Sequence, residues 1–160
     1  MVKDFDTWNE VKKVVDEKER IIQDFYFHER EVWWSTLGLN IGVESDGKGS
    51  DFERPILIIK KFNAHMLWMV SLTGKSYDDL YHVKINHGSG VSWACLTQFR
   101  TISTKRLLRK VWRISKEEMD QVIDGVIRNL KNETPTKCGG ISEPEGTNTS
   151  SINDSKLASS

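Results

Sequence analysis

The stretch "RPILIIKKFNAHMLWMVSLT", residues 54–73, constrains the fold more than any other part of the chain. Two apolar runs rich in branched side chains flank a short polar break at Asn63-Ala64, which reads as an antiparallel hairpin. Pro55 stands at the beginning of the first run, where a strand tolerates a missing amide. Other runs have the same character: "FYFHEREVWWSTL" (25–37), "LYHVKIN" (80–86) and "VSWACLTQFRTI" (91–102). The segment "STKRLLRKVWRI" then reads as a short helical turn and a short last strand.

Helical signatures bracket these strands. Thr7-x-x-Glu10 forms a capping box for a helix over 7–22, with Trp8, Val11, Val14, Val15 and Ile22 at helical spacing. Ser115-x-x-Glu118 is a second capping box, continued by Met119, Val122, Ile123, Val126, Ile127 and Leu130. The resulting architecture is α+β: about five antiparallel strands, curled or closed into a small barrel, with a helix at each end. A length of 160 residues suits one domain. We divide it into a helical extension (1–24), a folded core (25–131) and a polar tail (132–160). The tail holds too little apolar surface to fold, so it is expected to be disordered.

Several function classes fall away. The formal net charge is zero, so bulk electrostatics give no reason to expect nucleic acid. Cys95 and Cys138 form no C-x-x-C pair, and the four histidines show no metal-binding spacing, so neither a metal nor a cofactor is indicated. There is no leader-like apolar segment and no 18-residue apolar run. The expectation is a reduced, cytoplasmic protein without a membrane partner.

Residues 38–53 form a long loop with four glycines. Within it Gly42-x-x-x-x-Gly47-Lys48 imitates a phosphate-binding loop. Gly49 stands where that pattern needs Ser or Thr to hold magnesium, and a strand follows where it needs a helix, so a nucleotide site is rejected. The loop reads as a mobile lid that carries Lys48. Residues 97–114 carry Arg100, Lys105, Arg106, Arg109, Lys110 and Arg113 and no acid. Such a run is either a solvated face or a phosphate-binding surface. Adjacent Trp33 and Trp34 must point to opposite faces of a strand. One ring fills the core. The other, for which Trp34 is the candidate, suits a base-stacking surface or a homodimer interface.

The ordered series "EVWWSTLGLNIGVE … ERPILII … VSLT … LTQFRTISTKRL … ISKEEM" resembles the MazF/PemK family of toxin–antitoxin ribonucleases over roughly residues 29–130. The resemblance implies a small SH3-like barrel of the MazF/PemK/CcdB type, with a C-terminal helix, working as a homodimer. It implies metal-independent, sequence-selective cleavage of single-stranded RNA, leaving 2′,3′-cyclic phosphate and 5′-hydroxyl ends. It also implies a cognate antitoxin, through which alone operator DNA would be bound. On this pattern Arg54 stabilises the phosphorane, Thr73 contacts the scissile phosphate, and Glu44 is the loop glutamate. Gln98 and Arg100 face RNA or support the site, and Lys48 and Trp34 would bind RNA. Thr97 stands where many members carry Asp or Glu, leaving the general base unassigned. Two alternatives stay open: a non-catalytic RNA- or protein-binding module on the same barrel, or a same-fold toxin acting on topoisomerase.

Overall fold

A computed structural model describes residues 2–18 and 26–131. The end of the expected first helix, the 24/25 division and the tail fall outside the described residues. Helix α1 runs Phe5–Glu17 and α2 runs Lys116–Lys131. Between them lie β1 (Glu31–Thr36), β2 (Glu53–Lys61), β3 (Met66–Thr73), β4 (His82–His87), β5 (Gly90–Ser103) and β6 (Leu107–Arg113). A single 3-10 turn, Thr104–Arg106, joins β5 to β6.

All neighbours in the sheet are antiparallel, in the order β4-β5-β3-β2-β1-β6. The 54–73 hairpin forms as expected, with Ile56 opposite Ser71 and Lys61 opposite Leu67. Two expectations are corrected. There are six strands rather than five, and the barrel is not closed, because β4 and β6 remain unpaired edges. The edges do approach: the His87 ring on β4 stacks on Trp112 of β6 at 4.2 Å. Helix α2 packs against β5 and the β4 edge. In its capping box, Glu118 N donates to Ser115 Oγ (3.0 Å) and Ser115 N to Glu118 Oε2 (3.0 Å). The other oxygen of the same carboxylate accepts the edge amide of Asn86 (2.8 Å). An exposed strand edge is thus satisfied by a side chain.

Alternation along the strands makes two apolar clusters. Val32, Leu57, Val70, Leu72, Ile85 and Leu96 face Met119, Val122 and Val126 of α2. The approach is close at Gly125, where a Cβ would lie 2.5 Å from Leu96 Cδ1. Phe27, Trp33, Ile56, Ile58, Leu67 and Met69 form the second cluster. Trp33 therefore fills the core, while Trp34 is half-buried on the opposite side.

The ends of two elements differ from expectation. Asp4, rather than Thr7, caps α1, accepting Thr7 N on Oδ1 (2.9 Å) and the Thr7 hydroxyl on Oδ2 (2.6 Å). β1 starts at Glu31 rather than near 25, because Arg30 adopts a left-handed φ of 71° that breaks the extended run. The turn is fixed by Arg30, whose guanidinium donates twice to the carbonyl of Ile114.

Glu31 is the one buried acid of the sheet. Burial raises its pKa, but Lys110 Nζ (2.6 Å), Trp33 Nε1 (3.0 Å) and the His28 amide (3.0 Å) outweigh that and hold it below the usual carboxylate value. A depressed folded-state pKa contributes stability above the unfolded value, lost as pH falls through the folded one. Glu31→Gln should therefore lower stability at pH 7 by about 1–3 kcal/mol. It should also flatten the loss of stability below the model-compound value of 4.5. Urea titrations across that range check this; an acid limb identical to wild type contradicts it.

Candidate active site

Three strands and one loop converge on a cleft of about 430 Å³. Trp34 comes from β1, Arg54 and Pro55 from the start of β2, and Thr73 from the end of β3, with Lys48 and Asp51 from the loop between β1 and β2. Arg54 and Thr73 meet because β2 and β3 are antiparallel, so the start of one lies beside the end of the other.

Arg54 is fixed by two backbone carbonyls. Its Nε donates to Asp46 O (2.5 Å) and its Nη1 to Leu72 O (3.4 Å). Among the described residues its Nη2 makes no hydrogen bond, and the guanidinium borders the cleft. Thr73 Oγ1 accepts the amide of Lys75 (3.2 Å), which leaves the hydroxyl proton able to donate. The cleft therefore presents a fixed cation and a hydroxyl donor side by side. That combination suits a phosphodiester.

The loop that supplies Lys48 and Asp51 is folded rather than loose. Lys48 N donates to Glu53 O (2.7 Å) and Glu53 N to Lys48 O (3.0 Å), so residues 48–53 turn back on themselves. Positive φ at Gly49 (70°) and Phe52 (51°) makes the reversal. It places Asp51 at the cleft that Arg54 borders, which the linear sequence does not signal. Glu53 is engaged by Arg109 through both oxygens (3.2 and 2.9 Å), and Arg109 lies 5.2 Å from the Trp34 ring centroid. Asp51 is exposed at the cleft and accepts no hydrogen bond from the described residues.

The other candidates lie elsewhere. Glu44 is exposed on the earlier limb of the loop, where it accepts the amide of Ile41 (3.4 Å) and feels the charge of Arg100, and it does not line the cleft. Gln98 accepts Ser45 N (2.8 Å) and donates to Val43 O (3.3 Å). Arg100 donates to Asn40 Oδ1 (3.4 Å), and burial lowers its pKa. Both side chains hold the loop in place, and the lid expected to be mobile is tied down along residues 40–47. The acid-free run is also largely engaged within the chain. Lys105 pairs with Asp16, Arg109 with Glu53 and Lys110 with Glu31, while Arg106 bonds the carbonyls of Thr36 and Leu37. No group of three or more His, Cys, Asp or Glu side chains able to hold a metal occurs among the described residues. No described helix is long and apolar enough to cross a membrane.

This frame matches the family described as PemK-like, MazF-like toxins of type II toxin–antitoxin systems, over residues 28–130. The chain belongs to that family. Solved structures agree on the fold. An endoribonuclease in complex with its cognate antitoxin, from a mycobacterial species, superposes with a TM-score of 0.54 at 13% identity, over 69% of this chain and all of its own. MazF from Deinococcus radiodurans gives a TM-score of 0.54 at 14% identity, again over 69% of this chain and all of its own. No curated protein matches the sequence. The cleft lies wholly within the PemK/MazF-type region, whereas α1 precedes it.

Cys95 lies behind the cleft, opposite Ser71 in the ladder. Burial raises its thiol pKa, with Ser71 and Arg54 pulling the other way. In a Cys138→Ser background, the remaining thiol should react with a disulfide reagent at pH 8 about tenfold or more slowly than in unfolded protein. Equal rates would contradict the buried placement.

Proposed function

We propose that this toxin is a metal-independent endoribonuclease that cleaves single-stranded RNA in the Arg54–Thr73 cleft. One observation carries the reading: the hairpin puts Arg54 and the Thr73 hydroxyl at one cleft, with unused hydrogen-bond donors. RNA supplies its own nucleophile, so the protein needs a proton acceptor and a donor set for the phosphorane.

The 2′-oxygen attacks phosphorus as the bond to the 5′-oxygen breaks, giving a 2′,3′-cyclic phosphate and a 5′-hydroxyl. Arg54 Nη2 and the Thr73 hydroxyl bind the non-bridging oxygens where charge accumulates. Asp51 takes the 2′-hydroxyl proton, because it is the cleft carboxylate that forms no hydrogen bond or close ion pair with the described residues, whereas Glu53 is held by Arg109. The leaving 5′-oxygen takes a proton from solvent. Lys48 attracts a flanking phosphate, and Trp34, backed by Arg109, offers a ring for a base. In this reading Glu44 has no part in the chemistry, and Gln98 and Arg100 support the loop. A homodimer, a cognate antitoxin over the cleft, operator contact through that antitoxin and a cytoplasmic setting complete the proposal by analogy with the family.

Mapping 5′ ends on a long single-stranded RNA tests it. Discrete cuts with 5′-hydroxyl termini should appear and persist in chelator. Arg54→Ala should slow them by about 10²-fold, as loss of a transition-state donor does. Binding without cuts would instead favour a binding module, and neither, with growth arrest, a toxin acting on another target.

A further inference from the structure

We propose that α1, with the residues just before it, is a built-in strap that sets the position of Arg54, with Lys3 and Trp8 as its positioning residues. The catalytic part of this inference rests on the cleavage reading above. Its structural part does not.

The strap has an apolar anchor and a polar arm. Trp8 is the anchor, with only 7% of its surface exposed. Its ring meets Phe52 edge-on at 5.4 Å, and the Arg106 guanidinium lies 5.7 Å from its centroid. Gly38 admits the indole: a Cβ there would lie 2.1 Å from Trp8 Cζ2, and φ is +85°. The ring is thus seated on both ends of the 38–53 loop, Gly38 and Phe52. Arg106 ties the same ring to the end of β1 by donating to Thr36 O (3.0 Å) and Leu37 O (3.2 Å).

Lys3 is the arm. Its ammonium donates to Asn40 O (2.6 Å) and pairs with Asp46 Oδ2 (2.6 Å). The pair is partly buried, with side-chain exposures of 29% and 26%, so solvent screens it less than an ordinary surface pair. Asp46 is the hinge of the arrangement. Its Oδ1 accepts Asn40 N (2.6 Å), and its backbone carbonyl accepts Arg54 Nε. Lys3 therefore orients the residue whose main chain holds the cleft arginine. Gln98 holds the loop at Ser45 and Val43 and Arg100 holds it at Asn40, so Lys3 adds a tie at Asp46, the residue that carries Arg54.

These contacts come from outside the family region, which begins at residue 28. The long 38–53 loop and the segment ahead of the family region therefore act as one unit: that segment adds order to the loop that presents Arg54. Small displacements of a positioned group are costly to rate without being costly to binding.

Hydrogen exchange on the full chain tests the strap, with activity as a separate arm. Lys3→Ala should speed exchange at the amides of Asn40 and Gly47 by about tenfold. It should also lower kcat by about tenfold with little change in KM. Lys3→Arg should restore both. Asp46→Ala should speed exchange at Asn40 more than Lys3→Ala does, because it also removes the acceptor of that amide, and adding Lys3→Ala to it should change little further. Unchanged exchange in Lys3→Ala overturns the strap whatever the activity. Faster exchange with unchanged kcat overturns the positioning of Arg54. If the wild-type protein cuts no RNA, the cleavage reading fails, and exchange still decides whether α1 holds the loop. Trp8→Ala is avoided as the main test because removing a buried indole risks unfolding the domain.

Discussion

The cleft depends on one guanidinium held between two carbonyls. Arg54 sits where the loop enters β2, and its donors are shared between Asp46 of the loop and Leu72 at the end of β3. Two backbone acceptors that belong to different elements fix both its place and its direction. The antiparallel β2–β3 pair and the 48–53 reversal flank this residue, and the Trp8–Phe52 contact lies on the loop just before it. A preorganised cation costs little reorganisation when charge develops beside it.

Electrostatics in the rest of the molecule serve structure more than recognition. The six-cation run from Arg100 to Arg113 looks like a nucleic-acid surface in one dimension. In three dimensions much of it neutralises acids or bonds carbonyls inside the chain: Lys110 holds the buried Glu31, Arg109 holds Glu53, and Arg106 joins α1 to β1. What is left for a ligand is local: Arg54, Lys48 and the exposed edge of the Arg109–Trp34 stack. A neutral chain can still offer such a site, because a cleft needs local rather than net charge.

Local features were legible in the sequence. The hairpin around Asn63-Ala64, the Ser115/Glu118 capping box and the opposed faces of Trp33 and Trp34 depend on neighbours only a few residues apart. The start of β1 was not legible, because Arg30 turns left-handed to reach Ile114, 84 positions away. Barrel closure failed for a similar reason: Glu118 takes the amide that a closing strand would use. At the site, Arg54 and Thr73 could be proposed from residue order alone. Asp51 could not, because the turn that brings it to the cleft relies on Gly49, Phe52 and the Lys48–Glu53 bridge together. Glu44, the loop glutamate to which the resemblance points, stands on the earlier limb of the loop and does not line this cleft.

Arg54 and Thr73 acting on one phosphate is the central claim, and a crystal structure with a cleavage-resistant 2′-deoxy oligonucleotide addresses it directly. The account predicts one phosphate within hydrogen-bond distance of both Arg54 Nη2 and Thr73 Oγ1, with the 2′-carbon facing Asp51. A phosphate seated instead on the Glu44–Arg100 side of the loop, with the Arg54 cleft vacant, would contradict it.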